Sequence, residues 1–505
     1  MLTSHVTIHP AYTVAPVPAR LFGSFVEHMG RCVYGGIFEP GHPEADVDGT
    51  RLDVIKMVRE MGVSVVRYPG GNFVSGYEWE DGVGPAELRR TRLDLAWRSR
   101  ETNQFGTNEF MAWCRLAGVE PMMAVNLGTR GIADACNLLE YTNHPGGTYY
   151  SDLRRTHGVA APHNVKLWCL GNEMDGPWQI GHKTAEEYGR LAAETARAMR
   201  QVDPTIELVA CGSSNARMPT FGAWEATVLD HTYDDVDYIS LHAYYEQGHN
   251  DRATFLAAAT DMDAFIDGVT ATADHIGAKK RSKKQLKLSF DEWNIWFATN
   301  HPEQPDHNWA QAPHLIEETY DVTDAVVFGT LLMSLLRHAD RVTVACLAQL
   351  VNVIAPIRAE STGNAWRQTT FYPFALTAQH ARGEVLRVQL ASPRYTTQYG
   401  EADATDVVAT LEPETGEVAI FAVNRDQERP ILLDVDLRPF PEMVLADHQY
   451  LGGSGLEDAN TEAHPDQVVP RRGSGGTIAD GHLTISMPPV SWTMLRLAPA
   501  ADGRI

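Results

Sequence analysis

Two glutamates in this chain stand where carboxylates can do chemistry. The first lies in KLWCLGNEMDGPW, residues 166–178, where an apolar run stops at Gly-Asn-Glu and leaves Asn172 and Glu173 at its tip. The second follows the apolar run Leu286 to Phe290, in Asp291-Glu292-Trp293-Asn294. Glycoside cleavage needs such a pair: one carboxylate attacks or activates water, and the other donates a proton to the leaving oxygen. Other apolar runs also end in polar groups: Glu27-His28, Arg67 followed by Tyr68-Pro69-Gly70-Gly71-Asn72, Asn126, His242-Ala243-Tyr244, and Gln349. Trp97, Trp168, Trp178, Trp293, Trp296 and Tyr244 are the aromatics expected around them. Exposed aromatics would give a sugar ring an apolar platform, while amides and Arg67 bond its hydroxyls.

These residues need a frame that brings them to one rim. Eight short apolar runs supply it: Leu21 to Val26, Val63 to Arg67, Pro121 to Asn126, Val165 to Leu170, Ile206 to Cys211, Tyr238 to His242, Leu286 to Phe290 and Val342 to Leu347. Helical patterns lie between them at Arg51 to Met61, Asn108 to Ala117, Ala185 to Gln201, Arg252 to Ile276 and Asp324 to His338. Strands buried on both faces read as continuous apolar runs, and alternation with helices predicts a parallel sheet. Eight of them predict an α/β fold, a (β/α)8 TIM barrel, whose active site lies at the C-terminal ends of its strands. Strands four and seven then face each other across the mouth. An open doubly wound sheet is the alternative, but no GxGxxG follows the first strand.

After about residue 370 helical periodicity gives way to short alternating stretches with turn residues between them. These predict an antiparallel, jelly-roll-like β-sandwich. Val6 to Ile8 has the same alternation and no crossover helix, so it is expected to join that sandwich. The expected division is residues 1–17 as this N-terminal strand, 18–370 as the catalytic barrel and 371–505 as the sandwich.

The composition narrows the function. The chain has 505 residues, 44% of them hydrophobic, and a net charge of -23. That charge excludes nucleic acid and anionic membrane surfaces as partners of a cationic patch. The first residues lack a charged n-region and a continuous apolar core, so no signal peptide is expected. The six cysteines form no CxxC pair and read as reduced core thiols of a cytoplasmic protein. Bland readings exist for single residues. Arg67 could merely pair with a rim carboxylate, Gly70 and Gly71 could merely turn, and His242 and Tyr244 could be satisfied core residues. A metal site of His28, His242 and carboxylates has no HxH or HExxH spacing behind it. The convergence of so many polar strand ends outweighs these.

The same stretches resemble glycoside hydrolase family 51, the α-L-arabinofuranosidases: FGSFVEHMGRCVYGGIFEP at 22–40, VRYPGGNF at 66–73, ETNQFGTNEF at 101–110, VKLWCLGNEMDGPWQIGHKTAEEYGR at 165–190, SLHAYY at 240–245, DEWN at 291–294 and AQLVNVIAP at 348–356. The resemblance implies Glu173 as acid/base and Glu292 as nucleophile of a retaining reaction. It implies a substrate-binding shell of Glu27, Arg67, Asn72, Asn172, His242, Tyr244 and Gln349; Trp97 and Trp296 are added to it from the aromatics above as candidate sugar contacts. It also implies an arabinose-containing oligosaccharide as substrate, no required cofactor or metal, a homohexamer and an intracellular location. Another retaining barrel glycosidase (a β-xylosidase or endo-β-glucanase) and a non-catalytic carbohydrate-binding protein are the alternatives. The loops Pro40 to Gly49, Gly82 to Arg90 and Asn300 to His314 are expected to set the preferred linkage.

Overall fold

The computed structural model describes residues 2–248, 251–300 and 308–500. Residues 301–307 of the third specificity loop lie outside these. Eight strands close a barrel: Gly23–Phe25, Val65–Tyr68, Glu120–Ala124, Leu167–Leu170, Glu207–Ala210, Tyr238–Tyr245, Lys287–Ile295 and Val342–Leu347. Neighbours run parallel all round, and the eighth strand returns to the first with Cys346 opposite Gly23. Phe25, Met122, Ala124, Leu167, Cys169, Val209, Val344 and Cys346 fill the interior. Small and branched side chains suit this space, since a barrel of eight strands is a packed core and not a pore.

The helices form the outer ring, and one of them shows how the sequence holds the site. Ala185–Val202 starts in a capping box: Thr184 Oγ1 accepts from the Glu187 amide at 3.3 Å, and Glu187 Oε2 accepts from the Thr184 amide at 3.0 Å. This satisfies amides that would otherwise have no partner in the first turn. The helix buries Tyr188, Ala192, Ala196 and Met199 at helical spacing. The Tyr188 hydroxyl donates to Leu170 O and accepts from the Cys211 amide, each at 2.7 Å. The tip of the fourth strand, two residues before Asn172, is thereby pinned.

Three sequence expectations need correction. Strands six and seven run on through Tyr245 and Ile295, so Tyr244, Asp291 and Glu292 lie within strands, as expected of His242, and not beyond them. The expected helix Arg252 to Ile276 is broken at Ala257 into Arg252–Leu256 and Ala258–Lys280. Helical structure also persists past residue 370. Phe371–His380 is a helix packed against Leu52–Met61 and Val322–Arg337. It is buried on nearly every side and so lacks the polar stripe that marks a surface helix. Helices Ile132–Asn143, Tyr149–Thr156 and Ala223–Thr232 complete the connections between strands.

Two sheets make up the second core. One runs in the order Gln389–Ala391, Leu2–Thr7, Ile431–Asp436, His482–Met487 and Thr477–Ala479. The other runs Thr13–Pro16, Glu384–Leu386, Thr405–Leu411, Val418–Asn424, Ser491–Pro499, Met443–Gly452 and Arg471–Arg472. Pairing is antiparallel except that Leu2–Thr7 lies parallel to Ile431–Asp436, with Val6 opposite Val435. Val6, Val407, Ile420, Leu433, Ile485 and Leu495 are among the residues packed between the sheets. The outer face of the larger sheet, with Phe421 and Trp492, packs on the barrel helices. Helix Val322–Arg337 comes so close there that a Cβ on Gly329 would lie 2.3 Å from the Trp492 ring.

Candidate active site

The barrel brings the sequence-predicted residues from six strands to one mouth. Glu173 follows the fourth strand in a left-handed conformation, with φ of 43°, after Gly171 has turned the chain. That backbone conformation costs an L-residue about 1–2 kcal/mol. It goes with a carboxylate aimed sideways: His242 Nδ1 stands 2.9 Å from Glu173 Oε1, and Trp178 Nε1 donates to Oε2 at 2.6 Å. Glu292 projects from the seventh strand. Arg67 Nη1 donates to its Oε1 at 2.8 Å and the Tyr244 hydroxyl to its Oε2 at 2.7 Å. One oxygen each of Glu173 and Glu292 lie within 4.8 Å of one another.

The remaining rim residues fit around this pair. Arg67 Nη2 donates to Asn172 Oδ1 at 2.7 Å. Glu27 accepts from the Phe73 amide at 3.0 Å, from Trp97 Nε1 at 2.9 Å and from Gln349 Nε2 at 3.1 Å. Gln349 Oε1 is buried without a hydrogen-bond partner. Asn72 is half-buried at the head of a short 3-10 turn. Trp296 meets the Tyr244 ring edge-on, with centroids 5.5 Å apart. Gly71 does more than turn the chain. A Cβ there would lie 2.9 Å from Glu292 Oε1, 3.3 Å from Asn172 Nδ2 and 3.5 Å from Glu27 Oε2. Only a glycine lets the backbone pass under all three.

Some candidates belong elsewhere. Asn126 ties its own loop, its Oδ1 accepting from the amides of Gly128, Thr129 and Arg130. Trp168 and Trp293 are fully buried core residues. His28 is held by Glu101 at 2.8 Å and by the Tyr68 hydroxyl at 2.8 Å, so it does not share a site with His242. Atoms of Glu173, His242 and Glu292 are close enough to surround a cation. However, His242 spends Nδ1 on Glu173 and Nε2 on Asp291, which leaves its ring no lone pair for an ion when it is protonated. Trp178, one of the aromatics the sequence placed near the glutamates, is half-exposed and reaches Glu173. One contributor was not singled out by the sequence. Gln179 bonds Ser75 Oγ at 2.5 Å and props Asn172 from behind.

Burial and charge set the protonation states. Burial pushes the Glu173 carboxyl up; the His242 hydrogen bond opposes this, and the Glu292 charge adds to it. Burial pulls the His242 imidazolium down, but Glu292, Asp291 and Glu173 outweigh it and raise the ring to about 10. Burial also raises Glu27, to about 8, against the Phe73 amide. For Asp291 the balance reverses. Burial raises it, but Arg67 and His242 hold it below the usual carboxylate range. An acid pushed up by burial beside a carboxylate held by two donors is a division of labour suited to general acid and nucleophile.

A closed parallel barrel with two opposed carboxylates at its C-terminal mouth defines a barrel glycoside hydrolase. Residues 57–259 match the α-L-arabinofuranosidase 1 domain family, and residues 291–491 match the α-L-arabinofuranosidase C-terminal domain family. An intracellular exo-α-(1→5)-L-arabinofuranosidase of Streptomyces lividans is 58% identical over all of this chain and 77% of its own length. An exo-α-(1→6)-L-arabinofuranosidase of Bifidobacterium longum is 51% identical over 98% of this chain and 97% of its own. The solved structure of a family 51 α-L-arabinofuranosidase from Bifidobacterium longum superposes with a TM-score of 0.94 at 46% identity, over 98% of this chain and 99% of that one. The chain belongs to glycoside hydrolase family 51, the α-L-arabinofuranosidases, and is a glycoside hydrolase acting on arabinofuranosides. Among the described residues no helix is long and apolar enough to cross a membrane.

Proposed function

We propose that the enzyme removes terminal α-L-arabinofuranosyl residues from arabinan- and arabinoxylan-derived oligosaccharides with retention of configuration. Glu292 is the nucleophile and Glu173 the acid/base. The observation that carries this reading is the approach of the two carboxylates to within 4.8 Å. Retaining glycosidases hold theirs about 5–5.5 Å apart, whereas inverting enzymes need about 6.5–9.5 Å to admit a water.

The chemistry follows from the contacts. A Glu292 oxygen attacks the anomeric carbon while the bond to the leaving oxygen breaks, and Glu173 gives its proton to that oxygen. Forming the glycosyl ester removes the Glu292 charge, one of the causes that raise Glu173. Glu173 then takes a proton from water as the water oxygen attacks the same carbon, and the ester bond breaks to return the Glu292 carboxylate. Asn172 Nδ2, only 3.5 Å from Gln179 Oε1, is weakly engaged and suits the sugar 2-hydroxyl. Glu27, Asn72 and Gln349 serve the other hydroxyls, and Trp97 and Trp296 flank the ring.

The linkages named for the two relatives differ, at 58% and 51% identity, so family membership by itself does not select one linkage. Family likeness further supports a cytoplasmic homohexamer, which light scattering of the purified enzyme tests. Proton NMR of the first product tests the mechanism: retention requires the α-anomer of arabinofuranose to form first, and initial β-anomer would overturn it.

A further inference from the structure

The reaction above uses no atom of Asp291, although this carboxylate lies beneath both catalytic glutamates. It is 1% exposed. The seventh strand carries one residue more than the sixth here: Ser240 pairs with Ser289, but His242 already pairs with Glu292. Such a bulge re-aims side chains. It allows two consecutive residues, Asp291 and Glu292, to face the same inner cluster. Asp291 Oδ1 accepts from His242 Nε2 at 3.1 Å. Its Oδ2 lies 3.7 Å from Arg67 Nε, a buried donor with no hydrogen-bond partner, and 3.6 Å from Cys169 Sγ.

Each of the two cations leads onward to one glutamate. Arg67 donates to Glu292 at 2.8 Å, and His242 reaches Glu173 at 2.9 Å. We propose that Asp291 is the positioning residue of this active site, a fixed anion that keeps the shared proton on the His242–Glu173 pair and so sets the alkaline limit of activity. The proposal rests on the reading of Glu173 as acid/base. The groups facing the imidazole are Asp291 and Glu292 from the seventh strand and Glu173 after the fourth. Arg67, Tyr244, Cys169 and Glu27 line the same cluster. Among the anions, Asp291 takes Nε2, whereas Glu173 and Glu292 both face Nδ1. Deleting a buried negative charge beside a protonated pair makes that pair lose its proton at lower pH, whichever partner carries it.

The test is Asp291→Asn, whose amide oxygen can still accept from His242 Nε2 while the charge is gone. With an alkyl arabinofuranoside, whose leaving group needs the acid, the alkaline limb of kcat/KM should move down by about one pH unit or more. A uniform loss of activity with an unmoved limb would overturn the proposal. Glu173→Ala, assayed in parallel on good and poor leaving groups, tests the acid assignment itself, so the two failures give different results. If Asp291→Asn melts below the assay temperature, the wild-type enzyme still decides. Nitrogen NMR of ring-labelled histidine at pH 8 should find His242 Nε2, the nitrogen facing Asp291, protonated, and an unprotonated Nε2 would overturn the proposal.

Discussion

Arg67 donates to Glu292 across 2.8 Å, though 225 positions separate them in the chain. Both side chains are buried, and the same guanidinium also holds Asn172. Removing one member of a buried ion pair leaves an uncompensated charge and costs about 3–5 kcal/mol. Arg67→Ala should therefore lower unfolding stability in urea by that amount and abolish turnover. Arg67→Lys should recover part of the stability but little activity, since an ammonium cannot serve both partners in one plane. Near-wild-type turnover in Arg67→Lys would show that the fork is not needed.

The two glutamates should respond differently. Glu292→Ala should lower kcat by on the order of 10⁴-fold or more on every arabinofuranoside. Glu173→Ala should lose about 10²–10⁴-fold on alkyl glycosides but far less on an activated aryl glycoside, where no proton is needed for departure. Azide should restore its turnover by attacking the glycosyl ester. Equal losses on both substrates would remove Glu173 from the acid role.

Gly71→Ala puts a methyl 2.9 Å from Glu292 Oε1. The nucleophile must shift by a few tenths of an ångström, and misplacement on the ångström scale costs about 10²-fold. Steady-state kinetics should register this in kcat with the melting temperature little changed. Activity within twofold of wild type would mean that the strand end gives way instead.

His242 makes stability depend on alkaline pH. Its folded-state pKa is raised from 6.5 to about 10, so its contribution is complete below 6.5 and is lost as pH rises through about 10. Urea unfolding at pH 6 and pH 9.5 should show wild type losing more stability than His242→Asn. Parallel losses in the two proteins would contradict the assignment.

Prolonged dialysis against a chelator should leave activity unchanged, because both nitrogens of His242 are engaged by carboxylates. Loss of activity that returns with one divalent metal would reopen the metal reading. Deleting residues 1–15 should lower the melting temperature of the two-sheet region, since Leu2–Thr7 is bonded on both edges there.

All eight barrel strands are legible in the sequence, because a strand covered on both faces has no polar alternation and leaves an apolar run. Glu173 is legible as a candidate for the same reason, since a polar residue ending such a run must face the mouth. Helices such as Ile132–Asn143 are not, because Asn, Thr and Cys weaken their local signal and tertiary packing holds them. Apolar patterning, which depends only on neighbours along the chain, thus determined the barrel and the two-sheet region, and it marked the two glutamates as candidates. Only the tertiary structure decided which donor serves which carboxylate. Tyr244, and not His242, shares Glu292 with Arg67, and His242 turns to Glu173. That choice depends on an extra residue in the seventh strand and on a left-handed backbone at Glu173. Both accompany contacts 48 and 69 residues apart, which no local pattern records.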